Sequence, residues 1–372
     1  MNATRNILML ACAVVAICVT PNVRADFIFG EPVTLGPVVN SSPYSDYAPS
    51  IAPDGLSLYF SSQRPGGLGL DDIWVTTRAT MADAWGPPVS LGATVNSTSY
   101  DWGPAVTPDG LTLYFTSDRP GGLGKQDIWL TTRPTKEDPW GKPVNLGAPI
   151  NSVGDEFFGC ISADGCSLHF STSAGPCPLN PAYYCGGDIY ITTRPTADSP
   201  WGPPVDLELM ASRGGSGNWD PSVSADGLAL FFDSDYVNVN LFPDVWLATR
   251  TRDDSSWGTP ILLGPEINTQ NGEARPSISP DGRTLYFSSN RPNNSGDWNL
   301  WQVAIAPIVD FNTDGAVDLA DLVMLIDNWG TAETLYDIGP FAWGDGVVDV
   351  QDLKVFIAEW EKANPKASQD EQ

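Results

Sequence analysis

Apolar and polar side chains alternate in a short stretch that recurs along the chain. The clearest copies, at 48–64, 103–119 and 275–291, read APSIAPDGLSLYFSSQR, GPAVTPDGLTLYFTSDR and RPSISPDGRTLYFSSNR. Weaker copies begin near positions 159 and 220. Such alternation is typical of half-buried β-strands, and the Asp-Gly pair between two runs favours a tight turn. Each copy is therefore predicted to be a β-hairpin.

The five turns recur at a regular spacing, in steps of 55, 55, 62 and 55 residues, at Asp54, Asp109, Asp164, Asp226 and Asp281. Two further strands follow each hairpin. One reads DIWVTTR at 72–78 and recurs as DIWLTTR, DIYITTR, DVWLATR and NLWQVAI; the other begins at a Trp-Gly pair. A strand-rich period near 50 residues indicates a propeller. We therefore predict a mainly β fold, a five-bladed β-propeller of four-stranded blades over residues 26–306.

The fifth repeat lacks its outer strand, and this absence predicts how the ring is closed. No Trp-Gly-x-Pro-Val stretch follows Trp301 in the fifth repeat, but residues 29–33 read FGEPV near the N-terminus. We expect this N-terminal segment to supply the outer strand of the last blade, because such pairing covers open sheet edges.

The composition is strongly acidic, with 45 Asp and Glu against 19 Lys and Arg and a net charge of −26. Such a surface repels nucleic acid and anionic lipid, and it suits solubility or cation binding. A solvated acidic surface with no specific ligand is the alternative interpretation of most of these charges.

The N-terminal 25 residues have the pattern of a secretory signal peptide. Arg5 precedes an apolar run from Ile7 to Thr20, and the segment 23–25 ends in a cleavage-like Ala25. The run is short for a membrane span, and no other stretch is long and apolar enough to cross a bilayer. We expect cleavage after Ala25 and a secreted or cell-surface protein.

Four cysteines follow the predicted cleavage site, all in the third repeat: Cys160, Cys166, Cys177 and Cys185. In an exported chain they favour disulfides. Cys160 and Cys166 flank one hairpin turn, whereas the other two lie in an insertion, so pairs 160–166 and 177–185 are preferred among three possible pairings. A metal site including His169 is the alternative. His169 occupies the Tyr position of the LYF motif, which favours a packed side chain.

The Ser-x-Asp-Gly-x-x-Leu-Tyr-Phe hairpin followed by Asp-Ile-Trp resembles the TolB-type, WD-repeat-like β-propeller family over residues 27–306. This resemblance implies binding or scaffolding more often than catalysis, and it names no ligand.

One position per repeat suggests a ligand site. The residues just before each innermost strand are Asp46, Asp101, Glu156, Asn218 and Glu273, with aromatic neighbours that include Trp102 and Trp219. In a propeller these positions are expected to ring the mouth of the central channel, where they would hold a cation or a sugar. The alternative is that each acid pairs with an Arg of the following strand, such as Arg64, Arg119 or Arg291.

A polysaccharide-active enzyme is the rival interpretation of the propeller. Glycoside hydrolysis needs at least a pair of carboxylates, and some five-bladed propeller hydrolases place three at the channel mouth. Here, however, the acids recur once per blade, as repeat duplication alone would produce, whereas a catalytic trio is expected to break the symmetry. The sequence offers no Ser-His-Asp set, phosphate loop or cysteine nucleophile, so a non-catalytic protein is favoured.

Beyond residue 307 a calcium-loop pattern appears in DFNTDGAVDLAD, residues 310–321. Side-chain oxygens occupy positions 1, 3, 5, 9 and 12, a glycine occupies position 6, and a backbone carbonyl serves position 7. The predicted ligands are Asp310, Asn312, Asp314, Ala316, Asp318 and Asp321. A helix over 319–329 is expected to follow.

A second, weaker loop pattern lies at 341–352. Its predicted ligands are Asp345, Val347 through its carbonyl, Asp349 and Asp352. Positions 1 and 3 fall on Phe341 and Trp343, which offer no side-chain oxygen, and Asp337 lies four residues too early for a standard loop. A helix over 353–360 is expected to follow.

Two such loops with Asp at position 12, each followed by a helix, resemble a type I dockerin over about residues 308–361. The resemblance implies calcium as cofactor and a cohesin-like or cell-surface protein as partner. Leu319 and Ala320 stand where many dockerins carry small hydroxyl residues.

The sequence thus predicts four segments: a signal peptide (1–25), a propeller (26–306), a dockerin-like calcium module (307–361) and a disordered polar tail (362–372). The function it favours is that of a secreted, non-catalytic binding or scaffold protein with calcium-dependent docking. The alternative is a glycoside hydrolase tethered by the module. Carbohydrate is a candidate ligand in both.

Overall fold

A computed structural model of the chain describes residues 27–173, 187–210, 217–235, 242–252, 256–292 and 297–365. The predicted signal peptide and the cysteine pair at 177 and 185 lie outside these ranges.

The described chain forms five antiparallel sheets, one for each repeat. In chain order the strands are β1 (Phe27–Phe29), β2 (Val33–Thr34), β3 (Asp46–Ile51), β4 (Ser57–Ser62), β5 (Asp72–Thr77), β6 (Val89–Ser90), β7 (Asp101–Val106), β8 (Thr112–Ser117), β9 (Asp127–Thr132), β10 (Val144–Asn145), β11 (Asp155–Ile161), β12 (Ser167–Ser173), β13 (Asp188–Thr193), β14 (Val205–Asp206), β15 (Asn218–Val223), β16 (Ala229–Ser234), β17 (Asp244–Thr249), β18 (Ile261–Leu262), β19 (Glu273–Ile278), β20 (Thr284–Ser289) and β21 (Asn299–Pro307). One-turn helices α1 (Gly36–Val39) and α2 (Gly92–Val95) precede blades one and two.

Blades one to four are the consecutive quartets β3–β6, β7–β10, β11–β14 and β15–β18, and the predicted five-bladed propeller is confirmed. The second strand of each blade is buried on both faces, since neighbouring blades cover it. Leu58 and Phe60 on one face of β4 are fully buried, and Tyr59 on the other face is only 5% exposed. This double burial explains why the LYF motif is apolar at consecutive positions rather than strictly alternating.

The N-terminal segment closes the ring as predicted. Both β1 and β2 pair antiparallel with β21, the third strand of the fifth blade. The Gly30 N–H donates to the Ala304 carbonyl at 2.9 Å, as the Gly86 N–H donates to Thr77 in the first blade. The fifth blade is therefore built from two segments that are distant in the sequence, and ring closure depends on pairing between residues 27–34 and 299–307.

A cation–π contact holds the outer edge of each of the first four blades. The guanidinium carbon of the Arg that ends the third strand lies 4.1 to 4.5 Å from the ring of the following Trp, in the pairs Arg78–Trp85, Arg133–Trp140, Arg194–Trp201 and Arg250–Trp257. In the fifth blade Ile305 and Phe29 occupy these positions and pair across β21 and β1. The fifth blade therefore lacks the Arg–Trp contact of the other four.

The C-terminal module contains two helices, α3 (Leu319–Asp327) and α4 (Val350–Ala363), with a core that includes Phe311, Leu325 and Phe356. The predicted helix 319–329 ends two residues early. The predicted helix 353–360 begins earlier, because the Asp349 and Asp352 side chains form a capping box at its N-terminus. It also ends later, so the boundary of 362 for a disordered tail is wrong for residues 362 and 363, which are helical.

Within the described ranges, no helix combines the length and the apolar character needed to cross a membrane.

Candidate functional site

Three of the four acids at the repeated position lie in buried ion pairs. Asp46, Asp101 and Glu273 are fully buried. An Arg of the following hairpin pairs with each of them: Arg64 lies 2.6 Å from Asp46, Arg291 lies 3.2 Å from Glu273, and Arg119 pairs with Asp101. The alternative interpretation, local pairing, is therefore the one that the structure shows for these three acids.

Each of these pairs ties a loop to its blade. In the first blade Arg64 donates to the Val39 carbonyl and to Ser62 Oγ, and its guanidinium lies 5.2 Å from the Trp74 ring. Asp46 in turn accepts from the N–H of Ser41 at 2.5 Å. Because these contacts satisfy both charges, the pair serves as a structural element that ties the loop to the blade.

Glu156 and Asn218 complete the repeated position without an arginine. Ala174 and Tyr236 stand at the Arg position in these repeats. Glu156 accepts instead from the N–H and hydroxyl of Ser152, and burial raises the pKa of its carboxyl. The Asn218 amide donates to the Met210 carbonyl at 3.3 Å. These two residues therefore bond to their own loops, whereas the other three pair with an arginine.

A different set of residues breaks the five-fold symmetry, two positions further along the innermost strands. Ala48, Gly103, Asp220 and Arg275 occupy equivalent places there, with φ between 49° and 60°. This left-handed conformation is uncommon for residues other than glycine. Small residues stand in the first two blades, whereas Asp220 and Arg275 place opposite charges next to each other in the last two. Arg275 Nε lies 3.6 Å from Asp220 Oδ2.

Asp233 is the third charged exception. It stands on β16 where Ser61, Thr116, Ser171 and Ser288 stand on the other second strands. In blades one and two the hydroxyl at this position accepts the N–H of the next blade's innermost strand, as Ser61 does from Gly103 at 3.1 Å. Asp233 accepts the Arg275 N–H in the same way, at 2.8 Å. Asp233 therefore has a second carboxylate oxygen, which a Ser or Thr at this position does not offer.

Asp220 and Asp233 both have carboxyl pKa values above the usual range. Burial, followed by the charge of Asp220, raises the pKa of Asp233 well above its usual range. Burial also raises the pKa of Asp220, while Arg275 and a hydrogen bond from Asp233 oppose that shift. Burial is thus the main cause of both shifts, and the neighbouring negative charge adds to the shift of Asp233.

Asp71 and Tyr47 complete the cluster from the first blade. Asp71 is only 4% exposed, and burial raises the pKa of its carboxyl, while Tyr47 and Gln63 oppose that shift. Its Oδ1 has no hydrogen-bond partner among the described residues. The Arg275 guanidinium lies 4.8 Å from the Tyr47 ring, which places Arg275 between carboxylates contributed by different blades.

Aromatic rings surround this charged cluster. The Arg275 guanidinium also lies 5.5 Å from the Trp102 ring and 6.0 Å from the Trp298 ring. Phe157 contacts both Trp102 and Trp219, with ring centroids 5.5 Å apart in each case. The predicted Trp102 therefore contacts Arg275 directly, and the predicted Trp219 is linked to Trp102 through Phe157.

A small cavity of about 40 Å³, open to solvent, lies between the five innermost strands. Asp220 and Arg275 line it together with small residues such as Gly103 and Gly159. A cavity of this size holds only a few water molecules, so a ligand would contact the charged groups and the aromatic rings at its mouth. We call the set Tyr47, Asp71, Trp102, Asp220, Asp233 and Arg275 the axial cluster.

The first predicted calcium loop has the backbone that such a loop needs. Gly315 has φ of 90°, and Asp310 accepts from the N–H groups of Asp314 and Gly315. Asp321 accepts from the N–H groups of Phe311, Asn312 and Asp318. The loop therefore wraps around its first and last carboxylates, the side chains at positions 1 and 12.

The second loop is built like the first, with one correction to its alignment. Asp337 accepts from the N–H groups of Asp345 and Gly346 as Asp310 does in the first loop, and Asp352 accepts from residues 338, 339 and 349 as Asp321 does from its loop. Asp337 therefore occupies position 1, so the placement of Phe341 and Trp343 at positions 1 and 3 was wrong. A four-residue insertion, 340–343, separates the two halves of the loop.

The side-chain oxygens of the two loops are of the type that a hard cation prefers, but they are not gathered around one point. Both loops offer carboxylates at positions 1, 5, 9 and 12, which are oxygen ligands suited to calcium. Within the described residues, however, no group of three or more acidic, Cys or His side chains is gathered as a metal site. Asp310, Asp321, Asp337 and Asp352 instead accept backbone N–H groups. Calcium binding therefore stays a prediction.

The cysteines differ from the predicted pairing where the structure describes them. Cys160 and Cys166 are free thiols, so the proposed Cys160–Cys166 disulfide is not formed. Cys160 lies on β11 and its sulfur accepts from the Val223 N–H of the next blade, whereas Cys166 Sγ donates to the Asp164 carbonyl at 3.5 Å. His169, the register partner of Cys160, is buried, and burial lowers its pKa to about 3, as expected for a packed side chain.

We expect native-state thiol labelling at pH 8 to modify Cys166 well before Cys160. Burial raises the pKa of Cys160 to about 12, so only roughly one molecule in ten thousand carries the reactive thiolate at that pH. Maleimide labelling read by peptide mass spectrometry, with denatured protein as the control, measures this difference. A 160–166 cross-linked peptide recovered from non-reduced protein would contradict it.

No family model matches the chain, and no curated protein matches it either. Several solved structures are similar. A TolB-like protein from Agrobacterium tumefaciens is 19% identical over 67% of this chain and 71% of that one, with a TM-score of 0.40. An α-L-arabinofuranosidase from Podospora anserina is 15% identical over 75% and 98%, with a TM-score of 0.47, and a Bacillus subtilis arabinanase 14% identical over 73% and 97%, with 0.48. At these identities the likeness concerns the propeller fold.

Proposed function

We propose that this chain is a secreted binding protein, whose propeller takes a carbohydrate-type ligand at the axial cluster and whose C-terminal module docks it, with calcium, on a protein partner. The observation that carries the propeller part is the break in symmetry. Repeat duplication accounts for residues that occur in every blade, but it does not account for Asp220, Asp233 and Arg275, which meet at the axis in one copy each.

The chemistry of the axial cluster suits a sugar. Indole and phenol faces, here Trp102 and Tyr47, cover the apolar face of a pyranose ring, while carboxylates and a guanidinium satisfy its hydroxyl groups. Asp71 Oδ1 is an acceptor without a hydrogen-bond partner among the described residues, and it lies beside the Arg275 charge. A ligand hydroxyl is the group that would satisfy this oxygen.

Binding is favoured over hydrolysis because Arg275 already engages both Asp220 and Asp233, through its Nε at 3.6 Å and its backbone N–H at 2.8 Å. A second candidate, a glycoside hydrolase, is supported by one observation. Asp71 is a third carboxyl with a raised pKa on the same axis, which is the property expected of a general acid.

The docking part rests on the two loops and on α3. Leu319, Val323 and Ile326 on one side of α3, and Trp329 just beyond its end, are 46% to 69% exposed. Side chains of this kind on an exposed helix would serve a cohesin-like or other cell-surface protein partner. Export is proposed from the signal-peptide pattern of residues 1–25 and agrees with the predicted extracellular use of calcium.

We expect the full mature chain to retain a plant-type or microbial polysaccharide on a glycan array without releasing reducing ends. Trp102→Ala should weaken retention by roughly tenfold or more, because one stacking surface is lost. Trp329→Ala, a tryptophan of the module far from the axis in sequence, is the matched control. Release of sugar that Asp71→Asn abolishes would establish the hydrolase instead, and retention that Trp102→Ala leaves unchanged would remove the axial cluster as the site.

A further inference from the structure

The insertion in the second loop reaches away from the module and into the propeller. Trp343 Nε1 donates to Asp226 Oδ2 at 3.0 Å, and the Trp343 ring contacts Phe231 and Phe27 with centroids 6.1 and 6.3 Å away. Ala342 is 7% exposed and belongs to the same buried cluster as Phe231 and Phe287 of blades four and five. The insertion is therefore part of the propeller core, although its chain belongs to the module.

The insertion covers a turn that the other blades cover for themselves. In blades one and two the turn glycines Gly55 and Gly110 lie under Met81 and Lys136, which follow the third strand of the same blade. The fifth blade has no such segment, because β21 continues directly into the module. At its turn, a Cβ added to Gly282 would meet the Phe341 ring, which stacks on Trp343 at 5.3 Å.

Charged pairs flank this apolar contact on both sides. Arg252, at the end of blade four, lies 2.9 Å from Asp345 of the second loop. Arg283, in the turn of blade five, lies 3.3 Å from Glu359 of α4. Arg283 stands where Leu56, Leu111 and Leu228 stand in other repeats. This exception in the repeat thus has a partner in the module.

We propose that the insertion 340–343 is a docking element whose partner is the chain's own propeller, and that it replaces in blade five the Arg–Trp contact of the other four blades. The module and the closing blade then form one unit. The second loop consequently serves to attach the module, and the exposed side of α3 is held at a fixed orientation to the axial cluster.

Hydrogen–deuterium exchange on the full chain tests this proposal. In the double variant Phe341→Ala/Trp343→Ala, we expect exchange in the blade-five turn, residues 279–284, and in β1 to accelerate by roughly tenfold or more. The equivalent turn of blade one, residues 52–57, should not change. Trp329→Ala, which removes an exposed indole of the same module, should leave every propeller segment as in the parent chain.

Two single glycine substitutions provide a second test if the double variant does not fold. Gly282→Ala and Gly110→Ala introduce a Cβ at similar φ angles, 67° and 75°, so their backbone strain is matched. Only the first pushes against the rings of the insertion, since the second meets the flexible end of Lys136. Gly282→Ala should accelerate exchange within residues 338–346, and Gly110→Ala should not. Equal exchange there in both variants, or an unchanged blade-five turn in a folded double variant, would overturn the proposal.

Discussion

Replacing Asp101 by Asn is expected to destabilise the propeller by about 3 kcal/mol, because it leaves the Arg119 charge buried without its carboxylate. Removing one partner of a buried ion pair typically costs 3 to 5 kcal/mol. Asp101 is fully buried and the Arg119 side chain is 12% exposed. The lower end of the range is expected, since Arg119 keeps the Val95 carbonyl and the Phe115 and Trp129 rings.

Chemical unfolding of the full chain measures this cost, with Asp83→Asn as the matched control. Asp83 is an exposed carboxylate that accepts from Thr80 in a surface turn, so its loss should change the free energy of unfolding by less than about 0.5 kcal/mol. Ligand retention should stay near that of the parent chain in both variants when measured well below their melting temperatures. Weaker ligand binding by Asp101→Asn with unchanged stability would show instead that the repeated acids form the site.

The repeats predicted the fold because every blade of a propeller must bury the same apolar strand faces. Apolar runs such as residues 58–60 need a neighbouring blade on each face, so five copies imply five blades and a closing strand from the N-terminus. The same periodicity directed attention to the repeated acids. Asp46, Asp101 and Glu273 pair with arginines in blades one, two and five, whereas the axial cluster, which we propose as the site, includes exceptions to the repeat.

The signal for the axial cluster was present in the sequence, two positions from the residues that were chosen. Asp220 and Arg275 align with Ala48 and Gly103, and Asp233 aligns with serines and threonines. That these three side chains meet depends on the left-handed turn of the innermost strand and on packing between blades four and five. Neither property can be derived from strand patterning, which fixes which side a residue faces but not its neighbour across a blade boundary.

The alignment of the second calcium-loop pattern was also mispredicted, but for a different physical reason. A calcium-loop template assumes a constant length, and the insertion 340–343 breaks it between positions 3 and 5. Asp337 was noticed as four residues too early, but only the backbone hydrogen bonds from residues 345 and 346 identify it as position 1. Likewise, Cys160 and Cys166 flank one turn, but Cys160 is directed to Val223 of the neighbouring blade.

Calcium is expected to rigidify the first loop and α3, an effect that Asp310→Ala should abolish. Four carboxylates of this loop, Asp310, Asp314, Asp318 and Asp321, repel one another without a cation, and a divalent ion offsets that repulsion. Amide exchange in residues 319–327 of the full chain should therefore slow by roughly tenfold on adding calcium and recover with a chelator. Magnesium at the same concentration is the control cation, since it demands a smaller octahedral site.

The second loop should respond more weakly than the first, and the variants separate the two loops. Gly339 stands at its position 3, where Asn312 supplies a side-chain oxygen in the first loop, and Arg252 already neutralises Asp345 at 2.9 Å. Asp337→Ala should therefore alter exchange in residues 350–363 while the calcium response of residues 319–327 remains, whereas Asp310→Ala should remove the latter. Helices that exchange equally with calcium, magnesium and chelator, or a response of α3 that survives Asp310→Ala, would show that the carboxylates at 310–321 serve only to cap and turn the backbone.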